Sequence, residues 1–195
     1  MKYLISQKKG YIIFIAIALF LTIFTRVYFK IGPNIEIVTA LSLASGYFFK
    51  NKKFSIFVPL ILMYFSDLII GNNNIYLFTW TGFLVAPILG VVASKLKFKK
   101  LNTFANAIII STSSGILSVI EFYLWTNFGV VMMSSMYTKD IVGLLQSYIN
   151  ALPFLSNQLK ANIVYIPLVF TAIIAILNIN IIRLDKLKYK FIGKN

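Results

Sequence analysis

Five side chains in this 195-residue chain carry a carboxylate: Glu36, Asp67, Glu121, Asp140 and Asp185. They bound the acid–base chemistry open to it, because the sequence contains no cysteine and no histidine. Thiolate nucleophiles, imidazole bases and zinc sites built from either are therefore excluded. Hydroxyls such as Ser66 and Ser114 lack a Ser-Lys spacing, the carboxylates lack a paired-Asp spacing, and no glycine-rich phosphate-binding loop occurs. Catalysis would have to rest on lone carboxylates. The chain is accordingly read as a non-enzyme with no metal and no cofactor.

These few acids sit in a strongly apolar background. Hydrophobic residues make up 59% of the chain and charged residues 12%, with a mean hydropathy of +0.84. Soluble domains run at about 45–50% and about 25%. Each bilayer-spanning helix needs about 20 mostly apolar residues. The apolar runs predict an all-α membrane protein, a single domain of six transmembrane helices over about 11–29, 35–49, 54–70, 75–94, 102–125 and 161–182. The first run leads into Thr25-Arg26 rather than small residues, which predicts an uncleaved helix instead of a signal peptide. In the second, Ala40 and Ala44, and Ser42 and Gly46, stand four apart, a spacing that lets helices approach closely in lipid. Ser111 to Gly115 put small hydroxyl residues at the centre of the fifth span, suited to tight packing or a polar cavity. Between Asp140 and Leu152, Ile141, Leu144, Leu145, Tyr148 and Leu152 recur at three- and four-residue steps. That period predicts a short amphipathic helix before the last span.

The formal net charge of +14 would suggest nucleic acid in a soluble chain, but lysines held at the cytoplasmic ends of membrane helices produce the same excess. Fifteen of the nineteen basic residues fall in the N-terminal lead, around Lys50 to Lys53, around Lys95 to Lys100, and in the tail from Arg183. These segments alternate with lysine-poor ones, so the positive-inside rule predicts a multi-pass cell-membrane protein with both termini cytoplasmic. Lipid is the expected partner of the basic residues, and nucleic acid is not.

With that orientation Glu36, Asp67 and Glu121 all fall toward the outer leaflet. An ionisable group facing lipid within a span costs about 2.5–3.5 kcal/mol on insertion scales, so it normally faces a partner or a watery cavity. Arg26 is the cation at comparable depth, which gives two readings: a structural ion pair with Asp67 or Glu121, or direct contact of the acids with a ligand. The same side collects amides and aromatics. Asn34, Trp80, Trp125, Asn127, Tyr148 and Asn157 join Glu36, Asp67 and Glu121 as candidate substrate-binding residues, since rings supply apolar contact and amides fix the orientation of a small flat molecule. Asn72 to Asn74 and Tyr137 are read more simply, as turn and interface residues. The segment from Thr126 to Lys160 is long for a connection, and either closes over the site or covers the bundle.

Several strings then carry a resemblance. Asn34, Val38, Ala40, Gly46 and Phe49; Pro59-Leu60, Ser66-Asp67 and Gly71; Thr126-Asn127-Phe128-Gly129 and Met136-Tyr137; and Gly143-Leu144-Leu145, Tyr148, Ala151-Leu152-Pro153-Phe154 and Asn157 are similar to a family of bacterial membrane proteins described as S-component-like. With its six short spans, the chain resembles the S components of energy-coupling factor (ECF) transporters, which capture vitamins. The resemblance implies capture of a vitamin-like or other small solute from outside, with energy from a coupling protein and two ATPase subunits. It assigns no ligand residue. The first helix departs from the pattern: Ala16-Ile17-Ala18 stands where S components present an Ala-x-x-x-Ala face to the coupling protein. The alternative expectation is a membrane assembly or structural protein without a ligand.

Overall fold

A computed structural model of the chain describes residues 5, 7–29, 31–71, 74–99 and 101–192, with side chains placed through residue 178. Lys2, Lys30, Asn72, Asn73 and Lys100, and the side chains of the basic tail, lie outside the described residues. The elements are helical throughout: α1 (Lys8–Ile23) with a π-helical turn at its end (Phe24–Tyr28), α2 (Val38–Phe48), α3 (Lys52–Ser55), α4 (Phe57–Ile70), α5 (Tyr76–Gly82), α6 (Val85–Ala93), α7 (Thr103–Met133) and α8 (Ile141–Ile192). Among the described residues the extended pairing is limited to one bridge, Ile5 with Phe49. Five stretches are long and apolar enough to cross a bilayer: Lys8–Tyr28, Lys52–Ile70, Tyr76–Ala93, Thr103–Met133 and Ile141–Asn178.

The stretch expected to span at 35–49 differs from the rest. Its helix, α2, has 11 residues, all buried, and rises only about 16 Å. It serves as the axis of the bundle, packed on α6, α8, α4 and α7. Small residues make this possible: a Cβ on Gly46 would strike the backbone of Pro87, and one on Gly90 the backbone of Leu43, so α2 and α6 touch main chain to main chain. Lys52 closes the far end of α2, its Nζ donating to the carbonyls of Gly46 (2.8 Å) and Tyr47 (2.9 Å). A cation suits the negative end of a helix.

The last third also differs from expectation, in two linked ways. The separate amphipathic helix at 140–152 is instead the first part of α8, which continues without a break through Pro153 and Pro167. The long connection at 126–160 shrinks correspondingly to residues 134–140, because α7 runs on to Met133. Proline lacks an N–H and crowds the carbonyl four residues back, the usual reason for ending a helix there. Here packing on α7 outweighs it. Tyr123 donates its hydroxyl to the carbonyl of Tyr148 (2.6 Å), Tyr148 donates to that of Leu124 (3.2 Å), and Ser147 donates to that of Asn127 (3.2 Å). Gly115 of α7 packs against the side chain of Ile166 of α8, whose Cδ1 occupies the space a Cβ would take.

The helices give the bundle two distinct ends. At one, the Asn51 amide donates to the Tyr11 hydroxyl (3.1 Å) and Ile5 pairs with Phe49, gathering the start of α1 beside the Lys50–Lys53 turn. At the other, Arg26 meets Asp67, and Asn157 of α8 donates to the carbonyl of Pro33 (3.3 Å). The candidate site lies at this lysine-poor end.

Candidate functional site

The site begins with a change of helical pitch. The Phe29 amide donates to the carbonyl of Phe24 (2.7 Å), five residues back, and this wider turn carries Arg26. Such π-turns re-aim a side chain without ending the helix. The Nη1 of Arg26 donates to Asp67 Oδ1 (2.8 Å), to the Ser66 hydroxyl and toward the Met63 sulfur (3.3 Å). Asp67 Oδ2 accepts the indole N–H of Trp80 (2.7 Å). Both carboxylate oxygens are thereby occupied, and α1, α4 and α5 are tied at one point. Asp67 does not line the neighbouring cavity; it fixes the position of Arg26, which does.

Asn34 adopts φ 60°, a left-handed conformation that asparagine tolerates, in the turn that leads into α2. Glu36 follows. Its Oε2 accepts the amides of Val38 and Thr39, the latter at 3.3 Å, and its Oε1 accepts the Thr39 hydroxyl (3.0 Å). A carboxylate in this place satisfies amides that the first turn of a helix leaves unpaired, and it complements the positive end of the helix.

Between these elements lies a cavity of about 470 Å³. Arg26, Asn34, Glu36 and Gln158 give it polar walls, with Phe83 and Phe122 among the apolar ones. The two rings stack at 4.4 Å between centroids, tilted by 39°. Gln158, 1% exposed, has an Nε2 with no hydrogen-bond partner among the described residues. One helical turn on, Asn162 donates to the Gln158 carbonyl (3.0 Å), while its own Oδ1 is likewise unpartnered. A buried amide without a partner costs about 1–3 kcal/mol. A donor held at that cost on a cavity wall is suited to an acceptor on a bound molecule. Pockets for small organic molecules span about 300–1,000 Å³, mostly apolar with a few convergent polar groups, and this cavity fits that description.

The nine expected binding residues divide into groups. Asn34 and Glu36 line the cavity, and Asp67 and Trp80 stand behind it through Arg26. Asn157 secures the turn at Pro33. Glu121, Trp125 and Tyr148 line a different, open groove on the outer face of α7 and α8. Asn127 joins α7 to α8, donating to the Tyr123 carbonyl (2.8 Å) and accepting from Ser147 at its own carbonyl. Gln158, like Phe83 and Phe122, lines the cavity and was overlooked in reading the sequence. Its signal was a pair of amides, Gln158 and Asn162, one turn apart on the approach to an apolar run, obscured because Pro153 and Lys160 read as loop. Three or more metal-binding side chains do not come together among the described residues.

No curated protein and no solved structure matches the chain. A family model described as a family of unknown function (DUF6580) matches residues 6–182, and the chain belongs to that family.

Proposed function

We propose that the protein is a six-crossing cell-membrane subunit that captures a small polar solute from the outer side in the Arg26–Glu36–Gln158 cavity, in the manner of an ECF S component. The observation that carries this reading is the unpartnered, fully buried Gln158 amide on the wall of a cavity already flanked by a guanidinium and a carboxylate. In this reading α2 is the sixth crossing, completed by the turn before it and by Phe49 and Lys50 after it. Both termini and the lysine turns face the cytoplasm, as the positive-inside rule requires. In this reading the cavity binds without chemistry: the Asp67 oxygens are taken up by Arg26 and Trp80, and the Glu36 oxygens by the first turn of α2. Energy comes from partner subunits, a coupling protein with ATPases, and lipid surrounds the bundle.

Binding to the folded state alone raises stability by RT ln(1 + [L]/Kd), about 2.7 kcal/mol at a hundredfold excess over Kd. Thermal melting of the detergent-purified protein against a panel of water-soluble vitamins, nucleobases and amino acids reads this directly. At least one compound is expected to raise the melting temperature of the wild type and to leave Gln158→Leu unmoved. A panel-wide absence of shifts, or equal shifts in Gln158→Leu, favours a ligand-free assembly protein instead.

A further inference from the structure

The open groove on α7 and α8 lies apart from the cavity and asks for a different occupant. Glu121 sits in it with Oε2 shielded from solvent and without a hydrogen-bond partner among the described residues. Among those residues the one ion pair is Arg26 with Asp67, so no cation neutralises Glu121. Around the carboxylate stand Trp125, Phe128 and Tyr148. The indole N–H of Trp125 is spent on the Thr81 hydroxyl (2.8 Å) and the Tyr148 hydroxyl on the Leu124 carbonyl (3.2 Å), which leaves their ring faces as the contact surface. Trp125 and Phe128 stack at 6.0 Å between centroids. An acid with a free oxygen among ring faces matches a cation that also donates hydrogen bonds.

Depth identifies the source of that cation. Glu121 lies 18 residues beyond Thr103, about 27 Å along α7 at 1.5 Å per residue. That nearly spans the hydrocarbon core of about 30 Å, and brings the carboxylate to headgroup level at the lysine-poor end. Deeper than this level the groove continues onto Leu117 and Ile120, which are 58% and 40% exposed and suited to an acyl chain.

We propose that this groove binds the primary ammonium headgroup of an aminolipid, with the ammonium paired with the Glu121 carboxylate over the faces of Trp125, Phe128 and Tyr148 and the acyl chain along Leu117 and Ile120. The site stands independently of solute capture in the cavity. Native mass spectrometry tests it, with detergent-purified protein titrated with phosphatidylethanolamine, phosphatidylcholine or phosphatidylglycerol of identical chains. Phosphatidylethanolamine is expected to be retained about tenfold better than phosphatidylglycerol, a difference of about 1.4 kcal/mol, with phosphatidylcholine intermediate because its trimethylated nitrogen donates no hydrogen bond. Glu121→Gln, which keeps the side chain's shape, and Trp125→Ala are each expected to abolish the preference. Equal retention of all three lipids, an unchanged preference in Glu121→Gln, or displacement by free ethanolamine at the lipid's own concentration overturns the assignment.

Discussion

At the scale of single residues, the design places its few charges where each has a task. Arg26 and Asp67 are largely withdrawn from solvent, with side chains 19% and 9% exposed, and hold each other at 2.8 Å. Removing one partner of a buried pair strands the other's charge, at a cost of about 3–5 kcal/mol, whereas replacing both by apolar or neutral groups costs far less. Arg26→Met is therefore expected to lower the detergent melting temperature sharply, and Arg26→Met with Asp67→Asn to recover most of the loss. A thermal double-mutant cycle reads the coupling, and simple additivity would falsify this account of the pair. The acids and Arg26 were legible in the sequence because charge is rare in an apolar chain. How they divide was not, since depth alone put Glu36, Asp67 and Glu121 together while helix rotation sends Glu121 to the outer surface. Gln158 stayed hidden for a related reason: an amide next to Lys160 reads as solvated until α8 is known to pass through it.

At the scale of elements, the contacts that seat α6 on α2 are backbone approaches. Gly90 has the Leu43 carbonyl where its Cβ would be, so Gly90→Val forces α6 away from α2. Overpacking of this kind costs about 1–3 kcal/mol, and more where backbone must move. Gly90→Val is expected to melt well below the wild type, while Gly71→Ala, with open space around it but φ 88°, is expected to show only the smaller cost of backbone strain. Equal melting temperatures for Gly90→Val and wild type would contradict main-chain contact between α2 and α6. The small-residue pattern Ala40, Ser42, Ala44, Gly46 disclosed that α2 packs closely; its shortness did not follow, because Ile35 to Phe49 is apolar beyond both ends of the helix.

The start of α8 offers a second test at this scale. Asp140 Oδ1 accepts the Gly143 amide (2.8 Å) and the Thr138 hydroxyl (2.8 Å). The Gly143 amide first, and the Thr138 hydroxyl second, hold its carboxyl below the ordinary value of 3.8. Because the folded value is depressed, the cap's contribution is complete above the ordinary value and is lost as pH falls through the lowered one. Amide hydrogen exchange of residues 141–144 is expected to be slow near neutral pH and to accelerate, relative to intrinsic rates, below that window. Asp140→Ala is expected to show the fast pattern at every pH. The sequence disclosed the amphipathic period of residues 140–152 but not its continuation, since Pro153 normally ends a helix and only the contacts with α7 reveal why it does not.

At the scale of the whole molecule, apolar helices and alternating lysine turns describe a bundle with one basic end and one carrying Arg26, Asn34, Glu36 and Gln158. Orientation follows from charge, and the chain's lack of cysteine makes it simple to probe. Single cysteines replacing Lys53 or Lys97 are expected to resist a membrane-impermeant maleimide in intact cells, and those replacing Asn74 or Lys139 to react. The reverse pattern would invert the bundle, and with it the side from which the cavity fills. The period and length of apolar runs foretold the helical class, but the cavity itself is a product of tertiary packing. It requires the Gly32-Pro33-Asn34 turn to meet α8 at Asn157, a pairing of residues 124 positions apart that no local pattern encodes.

The claim that most needs testing is that this cavity holds a molecule. Native mass spectrometry of protein extracted gently from its own membranes, wild type beside Gln158→Leu, addresses it in one comparison. The account predicts a small-molecule adduct of fixed mass on the wild type that is absent from a folded Gln158→Leu. A bare wild-type protein, or an adduct retained equally by both, would contradict it.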